Sequence, residues 1–180
     1  MKVDIWILVG HSGSGKTTVA EKICSMFNMP RLHYGSLLDD LAHQKGYPDR
    51  GAFYDGVSFR ELRQLYDTYV VERVSDMVGI NSPFLIDGLC SLNAFNRLYS
   101  NLSDYNIKVI YIEVPESVRI ERIKVRDGGV WNDKELTKAA FGLDELVKLA
   151  DYTIDGMESS DVVLANAIKI ISMDDTGGVS

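Results

Sequence analysis

Histidine and cysteine are scarce in this chain of 180 residues: three histidines (His11, His33, His43) and two cysteines (Cys24, Cys90), none at metal-ligand spacing. That pattern fits reduced structural thiols better than a disulfide framework or a zinc site. Long apolar runs are missing too. No stretch approaches the roughly 18 uninterrupted apolar residues of a membrane span, and the N-terminal residues run into a strand pattern without a signal-peptide signature, so a cytoplasmic protein with no membrane partner is expected. Positive charge is in deficit: Lys and Arg number 19 against 26 Asp and Glu, for a net charge of −7. A duplex or single-strand binder would carry the opposite footprint, and nucleic acid is not an expected partner. Internal repeats, low-complexity segments and Pro-rich linkers are absent as well. With 46% hydrophobic and 25% charged residues, the chain reads as one domain able to bury a substantial core.

What is present begins at Gly10-His11-Ser12-Gly13-Ser14-Gly15-Lys16-Thr17-Thr18. This stretch fits G-x-x-x-x-G-K-[ST] and directly follows Asp4-Ile5-Trp6-Ile7-Leu8-Val9, an apolar run suited to a buried parallel strand. Gly13 and Gly15 lack the Cβ that would block a tight turn, so backbone N–H groups of Gly13, Ser14, Gly15, Lys16, Thr17 and Thr18 can converge on phosphate oxygens at a helix start. Lys16 is placed to neutralise the β- and γ-phosphates, and Thr17 to ligate Mg²⁺. A nucleotide polyphosphate with Mg²⁺ is the expected ligand. His11, inside the loop, is expected to be solvent-exposed.

Apolar periodicity predicts a helix from 16 to 29, a short strand at 31 to 34, a helix from 37 to 45 capped by Ser36, and a loop over 46 to 57. The capping box Ser58-Phe59-Arg60-Glu61 opens the longest helix, to about 77. Strands follow at 84 to 88 and 107 to 114, with a helix at 91 to 102 between them, and Pro115 begins a helix running to about Arg126. Residues 127 to 133 read as an excursion, then come a helix at about 134 to 149, a strand at 152 to 154 and a helix at 159 to 171. A frayed tail is expected at 174 to 180. Alternating strands and helices imply an α/β fold, a parallel sheet covered on both faces with ligands at the carboxyl ends of its strands.

Four further constellations carry chemistry. Asp87 ends a buried strand at the edge where the phosphate loop lies, either as a Mg²⁺ ligand or as a cap for the turn at Gly88. Arg119, Arg122 and Arg126 share one side of their helix beside a glycine-rich segment. They read as cations that close over a migrating phosphoryl group, or as a solvated face paired with Glu116 and Glu121. Arg60 and Arg63, with Arg50 nearby, suit a grip on a second substrate, unless Arg63 simply pairs with Asp67. Asp39 and Asp40 read better as helix-terminus electrostatics than as catalysts.

In their order, the phosphate loop, Tyr34-Gly35-Ser36, Leu85-Ile86-Asp87-Gly88, Val114-Pro115-Glu116-Ser117 leading into Arg119 to Arg126, and Leu149 to Gly156 resemble the nucleoside monophosphate kinase-like P-loop kinases over nearly the whole chain. The nearest echoes are the deoxynucleoside monophosphate kinase, adenylate kinase-like and dephospho-CoA kinase-like groups. The resemblance implies a three-layer P-loop NTPase fold with a five-stranded parallel sheet in the order 2-3-1-4-5. It further implies a single domain over 1 to 173, an acceptor-binding region at about 35 to 78 and a lid near 127 to 136. Arg122 and Arg126 match the family pair that meets the ATP base and phosphates. Two departures stand out: Ser36 replaces an Asp, and no arginine follows Arg126, leaving Lys134 and Lys138 in its place.

A phosphate acceptor needs neutralising cations rather than a base, and Ser36 with Arg60, Arg63 and Arg119 fits that need. The expected function is transfer of the ATP γ-phosphoryl group to a nucleoside or deoxynucleoside monophosphate, with Lys16, Asp87, Arg122 and Arg126 as the catalytic set and small-molecule nucleotides as partners. A hydroxyl acceptor served by Asp39 or Asp40 and a non-catalytic nucleotide-binding module stay open, as does the choice between monomer and homodimer.

Overall fold

The computed structural model describes residues 3–78, 80, 83–126 and 141–176. Five parallel strands, β1 (Ile5–Val9), β2 (Arg31–His33), β3 (Phe84–Asp87), β4 (Ile107–Glu113) and β5 (Tyr152–Asp155), form one sheet in the order β2-β3-β1-β4-β5. The order matches the sequence expectation and puts β1, buried at all five positions, in the centre. Its register pairs Leu8 with Asp87 of β3 and with Ile110 of β4.

Side chains alternate across a strand, so β1 feeds two separate cores. Ile5, Ile7 and Val9 join Phe84 and Ile86 under α2 (Tyr34–Gln44), α4 (Phe59–Met77) and α5 (Leu92–Asn101). Trp6 and Leu8 join Leu85, Ile110 and Ile112 under α1 (Lys16–Phe27) and the C-terminal helix α8 (Ser160–Thr176). The remaining helices are α3 (Arg50–Gly56), α6 (Glu116–Arg126) and the single turn α7 (Leu143–Leu146), which runs into a 3-10 turn at Val147–Leu149.

The local signals hold where a cap or a buried stripe dictates them. Ser58 Oγ accepts the Glu61 N–H at 3.3 Å and starts α4, whose buried face is Leu62, Tyr66, Val70, Val71 and Val74. Asn28, at φ 49°, ends α1 in a left-handed cap before Pro30 is reached.

Three expectations need correction. Residues 46 to 57, expected as a loop because of their glycines, contain α3: Asp49 caps it by accepting the Ala52 N–H at 2.8 Å, and Phe53 is fully buried beneath it. Helix α2 begins at Tyr34, directly on β2, rather than after Ser36. Of the helix expected at 134 to 149, residues 134–140 lie outside the described residues and the rest is one α turn and a 3-10 turn. The lid expected at 127 to 136, with Lys134 and Lys138, and the tail positions 177–180 also fall outside the described residues. Among the described residues, no helix is long and apolar enough to cross a membrane.

Candidate functional site

Strand β1 ends at Val9 and the chain turns through residues 10 to 15 into α1, with Gly13 at φ +82° and Gly15 at φ +83°. An L side chain at either would be strained. At Gly13 it would also collide: an added Cβ would lie 2.7 Å from the carbonyl oxygen of Arg119. That close approach exists because α6 braces the loop. Arg119, 8% exposed, donates Nε to Val114 O at 3.1 Å and reaches Ser12 O with Nη1 at 3.5 Å. One turn on, Arg122 donates Nη1 to Gly13 O at 3.4 Å and Nη2 to Gly156 O at 3.0 Å. The three arginines therefore do not share one substrate-facing role. Arg119, expected to bind substrate, is a buried strut for the loop, while Arg122 and Arg126 are exposed at its rim.

Two hollows and a channel surround the loop. A channel lined by Ser12, Gly13, Gly15, Lys16, Thr17, Thr18, Arg122 and Arg126 tracks the start of α1. On the α8 side it continues into a hollow of about 210 Å³ between Gly15, Thr18, Val19, Arg122, Gly156 and Leu164. On the opposite side lies a cavity of about 260 Å³. Its floor is Lys16, Thr17, Asp87 and Gly88; its walls are Tyr34, Leu38, Tyr54, Tyr66, Cys90 and Phe141; Arg50, His33 and Arg126 reach it from the sides. Lys16 and Arg126 border both the channel and this cavity.

Asp87 is fully buried, and neither carboxylate oxygen has a hydrogen-bond partner among the described residues. Arg31 Nε at 3.9 Å and His33 Nε2 at 4.0 Å stand beyond hydrogen-bond range. Burial pushes the Asp87 pKa above the usual carboxylate value, against the pull of Lys16. Burial likewise lowers the His33 pKa, although the Asp87 carboxylate pulls it up, which keeps the ring neutral near pH 7. Two unsatisfied carboxylate oxygens beside the Thr17 hydroxyl form a hard-oxygen set that fits Mg²⁺. No group of three or more His, Cys, Asp or Glu able to hold a metal occurs among the described residues, so the remaining ligands would have to come from nucleotide phosphates and water.

The cavity's aromatic wall is fixed by packing. Tyr34 and Tyr66 meet edge-to-face at 4.5 Å, the Tyr66 hydroxyl donates to the Tyr34 carbonyl, and Phe141 stands against Tyr66 at 6.2 Å and Phe59 at 5.4 Å. Burial raises the Tyr54 pKa to about 12 and lifts that of Tyr34 well above the usual phenol value, so both phenols remain neutral.

Other expected residues stand away from this wall. Ser36 is exposed and pairs with His33 Nδ1 at 3.0 Å. Arg60 is exposed, and Arg63 stands 4.0 Å from the buried Asp67, which accepts hydrogen bonds from Ser91 and Asn93. The Arg63 and Asp67 pairing weighed from the sequence is thus the observed one. Arg50, named there only as a neighbour, is the guanidinium of this region that reaches the cavity. His33, Tyr54 and Phe141 were missed; only His33, at the end of β2, carried a positional signal. His11, expected to face solvent, pairs with Asp144 of α7 at 2.9 Å and packs edge-on to Tyr111.

With this geometry in hand, the chain can be placed among known proteins. It is 26% identical over 161 residues to a UPF0200 protein of Thermococcus onnurineus, covering 83% of this chain and 86% of that one. It is 28% identical over 151 residues to cytidylate kinase 2 of Borrelia garinii subsp. bavariensis, covering 82% and 77%. Shikimate kinase from Aquifex aeolicus superposes with a TM-score of 0.64 at 17% identity, over 97% of this chain and 99% of that one, which is a likeness of fold. Residues 9–138, from the end of β1 past α6, match the family model described as an AAA domain (AAA_17), and the chain belongs to that family.

Proposed function

We propose that the protein transfers the γ-phosphoryl group of Mg²⁺-bound ATP to a nucleoside or deoxynucleoside monophosphate, giving ADP and the (d)NDP. One observation carries this reading: the phosphate channel and the aromatic cavity open onto the same Lys16 and Arg126. A module that only held a nucleotide would have no use for a second cavity facing the terminal phosphate. The likeness to a cytidylate kinase over most of both chains points the same way.

In this reading the ATP base occupies the hollow between α1, Arg122 and Gly156, and the phosphates lie along the loop. Lys16 and Arg126 stabilise charge spreading over the oxygens of the migrating group. Bound Mg²⁺, held by Thr17 and Asp87, would supply neutralisation of the phosphate oxygens. The acceptor enters between Tyr34, Tyr54, Tyr66 and Phe141, whose neutral rings offer an apolar slot for a base. Arg119 keeps the loop in shape rather than touching substrate.

A hydroxyl acceptor is the second reading, favoured by the unpartnered carboxylate of Asp87 on the cavity floor, a base of raised pKa. Asp39 and Asp40 do not fill that role: Asp39 is bound by Arg50, and Asp40 is exposed. A panel of (d)NMPs and phosphate-free alcohols with Mg-ATP, scored for phosphorylated product, separates the two. Diphosphate product is expected, and Lys16→Ala lowers kcat about 10²- to 10³-fold, the scale of losing one preorganised charge stabiliser. Turnover of no (d)NMP by a protein that binds ATP normally overturns the proposal.

A further inference from the structure

Arg50 meets the Asp39 carboxylate through a two-pronged contact, Nε to Oδ1 at 2.8 Å and Nη2 to Oδ2 at 2.6 Å. The pair ties α2 to the first residue of α3, across the turn that holds Gly46 and Pro48. Of the five guanidinium N–H groups the contact uses two, which leaves three on the Nη1 and Nη2 edge. Both residues are partly exposed, and their side chains retain 33% and 43% of their surface. Arg50 lines the acceptor cavity, and Asp39 does not.

An arginine on an exposed seven-residue helix would ordinarily sample many rotamers, and holding a long side chain in one geometry costs entropy. Here the plane of the guanidinium is already set when the acceptor arrives. A planar fork with one edge occupied and the other open matches the two oxygens of a phosphate. The remaining wall of the cavity agrees with an anionic visitor. Tyr54, four residues along the same helix, and Tyr66 are neutral, and Lys16 and Arg126 bring further positive charge.

Resting on the kinase reading above, we infer that Asp39 is a positioning residue that aims Arg50 at the phosphate of the acceptor, so that the cavity selects phosphate-bearing acceptors over neutral hydroxyl compounds. Asp39 also places a negative charge behind Arg50, which weakens its attraction for an anion. Orientation outweighs that loss because the carboxylate lies on the far side of the guanidinium, screened by solvent.

The test is steady-state kinetics of the full chain with the best (d)NMP of the panel, in Arg50→Ala, Asp39→Ala, the double variant and Asp39→Glu. Arg50→Ala raises the acceptor KM about 10- to 100-fold, as expected for lost hydrogen bonds to a charged group. Asp39→Ala raises it roughly fivefold, the double variant is no worse than Arg50→Ala, and Asp39→Glu recovers most of the loss. The ATP KM changes less than twofold throughout, which a general loosening of the fold would not allow. An acceptor KM that falls or stays level in Asp39→Ala overturns the inference, as does full additivity in the double variant. Preferential turnover of alcohols by the wild-type protein overturns the selectivity and leaves a kinase. Turnover of nothing overturns the kinase reading itself.

Discussion

At Asp87, two carboxylate oxygens sit at the foot of the aromatic cavity with no hydrogen-bond donor in reach among the described residues, and stability and the proposed chemistry make opposite demands on them. Burial raises the pKa, so the folded chain holds this proton more tightly than the unfolded chain does. By linkage, the destabilisation is absent below the unfolded carboxyl value and grows as pH rises through the folded one. Asp87→Asn is therefore expected to raise the Tm of the ligand-free protein at pH 7 by about 2–4 °C, the shift for roughly 1 kcal/mol in a domain of this size. That gain shrinks as the pH is lowered towards 4, and phosphoryl transfer is lost. Thermal melts across pH, paired with activity, check both halves; a lower Tm at pH 7 would mean that Arg31 and His33 satisfy the carboxylate after all.

Among the elements, α6 and the phosphate loop behave as one unit. The Arg119 guanidinium bridges Val114 O at the end of β4 and Ser12 O in the loop, while its own carbonyl sets the floor that only a glycine at position 13 clears. Arg119→Met keeps much of the stem and removes the donors. Its expected effect is an ATP KM raised about tenfold with the acceptor KM unchanged, read by initial rates at varied concentrations of each substrate. Equal changes in both constants would show that the strut supports the whole sheet edge instead.

The same elements show how far the sequence reached. The loop, the Ser58 cap and the end of β3 at Asp87 were legible from the residues themselves, because each rests on contacts within a few positions, whereas the strand order was implied only by the family resemblance. Helical spacing offered the Arg63 and Asp67 pair, four residues apart on α4, but could not show that Asp67 also accepts from Ser91 and Asn93 on another segment. Helix α3 was hidden by its glycines, and Arg50 with it, since the Asp49 cap and the burial of Phe53 outweigh poor propensity only once α2 and α4 are in place. The fate of Arg119 was invisible for the same kind of reason: its partners are backbone carbonyls more than a hundred residues away and five residues back.

For the whole molecule, the proposed donor and acceptor regions hang from opposite faces of one sheet and meet at the end of its central strand. Ile5, Ile7 and Val9 support the acceptor side, and Trp6 and Leu8 the α1 and α8 side. A ligand that spans both regions gains contacts without a second loss of translational freedom. A dinucleotide polyphosphate joining the two nucleotides is accordingly expected to bind at least tenfold more tightly than ATP by calorimetry; equal affinity would leave a nucleotide-binding module without a transferase.

Phe141, two residues ahead of α7, stands against both Tyr66 and Phe59 of α4 while forming part of the aromatic wall of the cavity. If the proposed acceptor site is right, a residue just ahead of α7 shapes it together with one on α4. A lineage that enlarges or narrows this pocket would then have to revise positions 141 and 66 together. A change of taste in such descendants would be written at two places far apart in the chain.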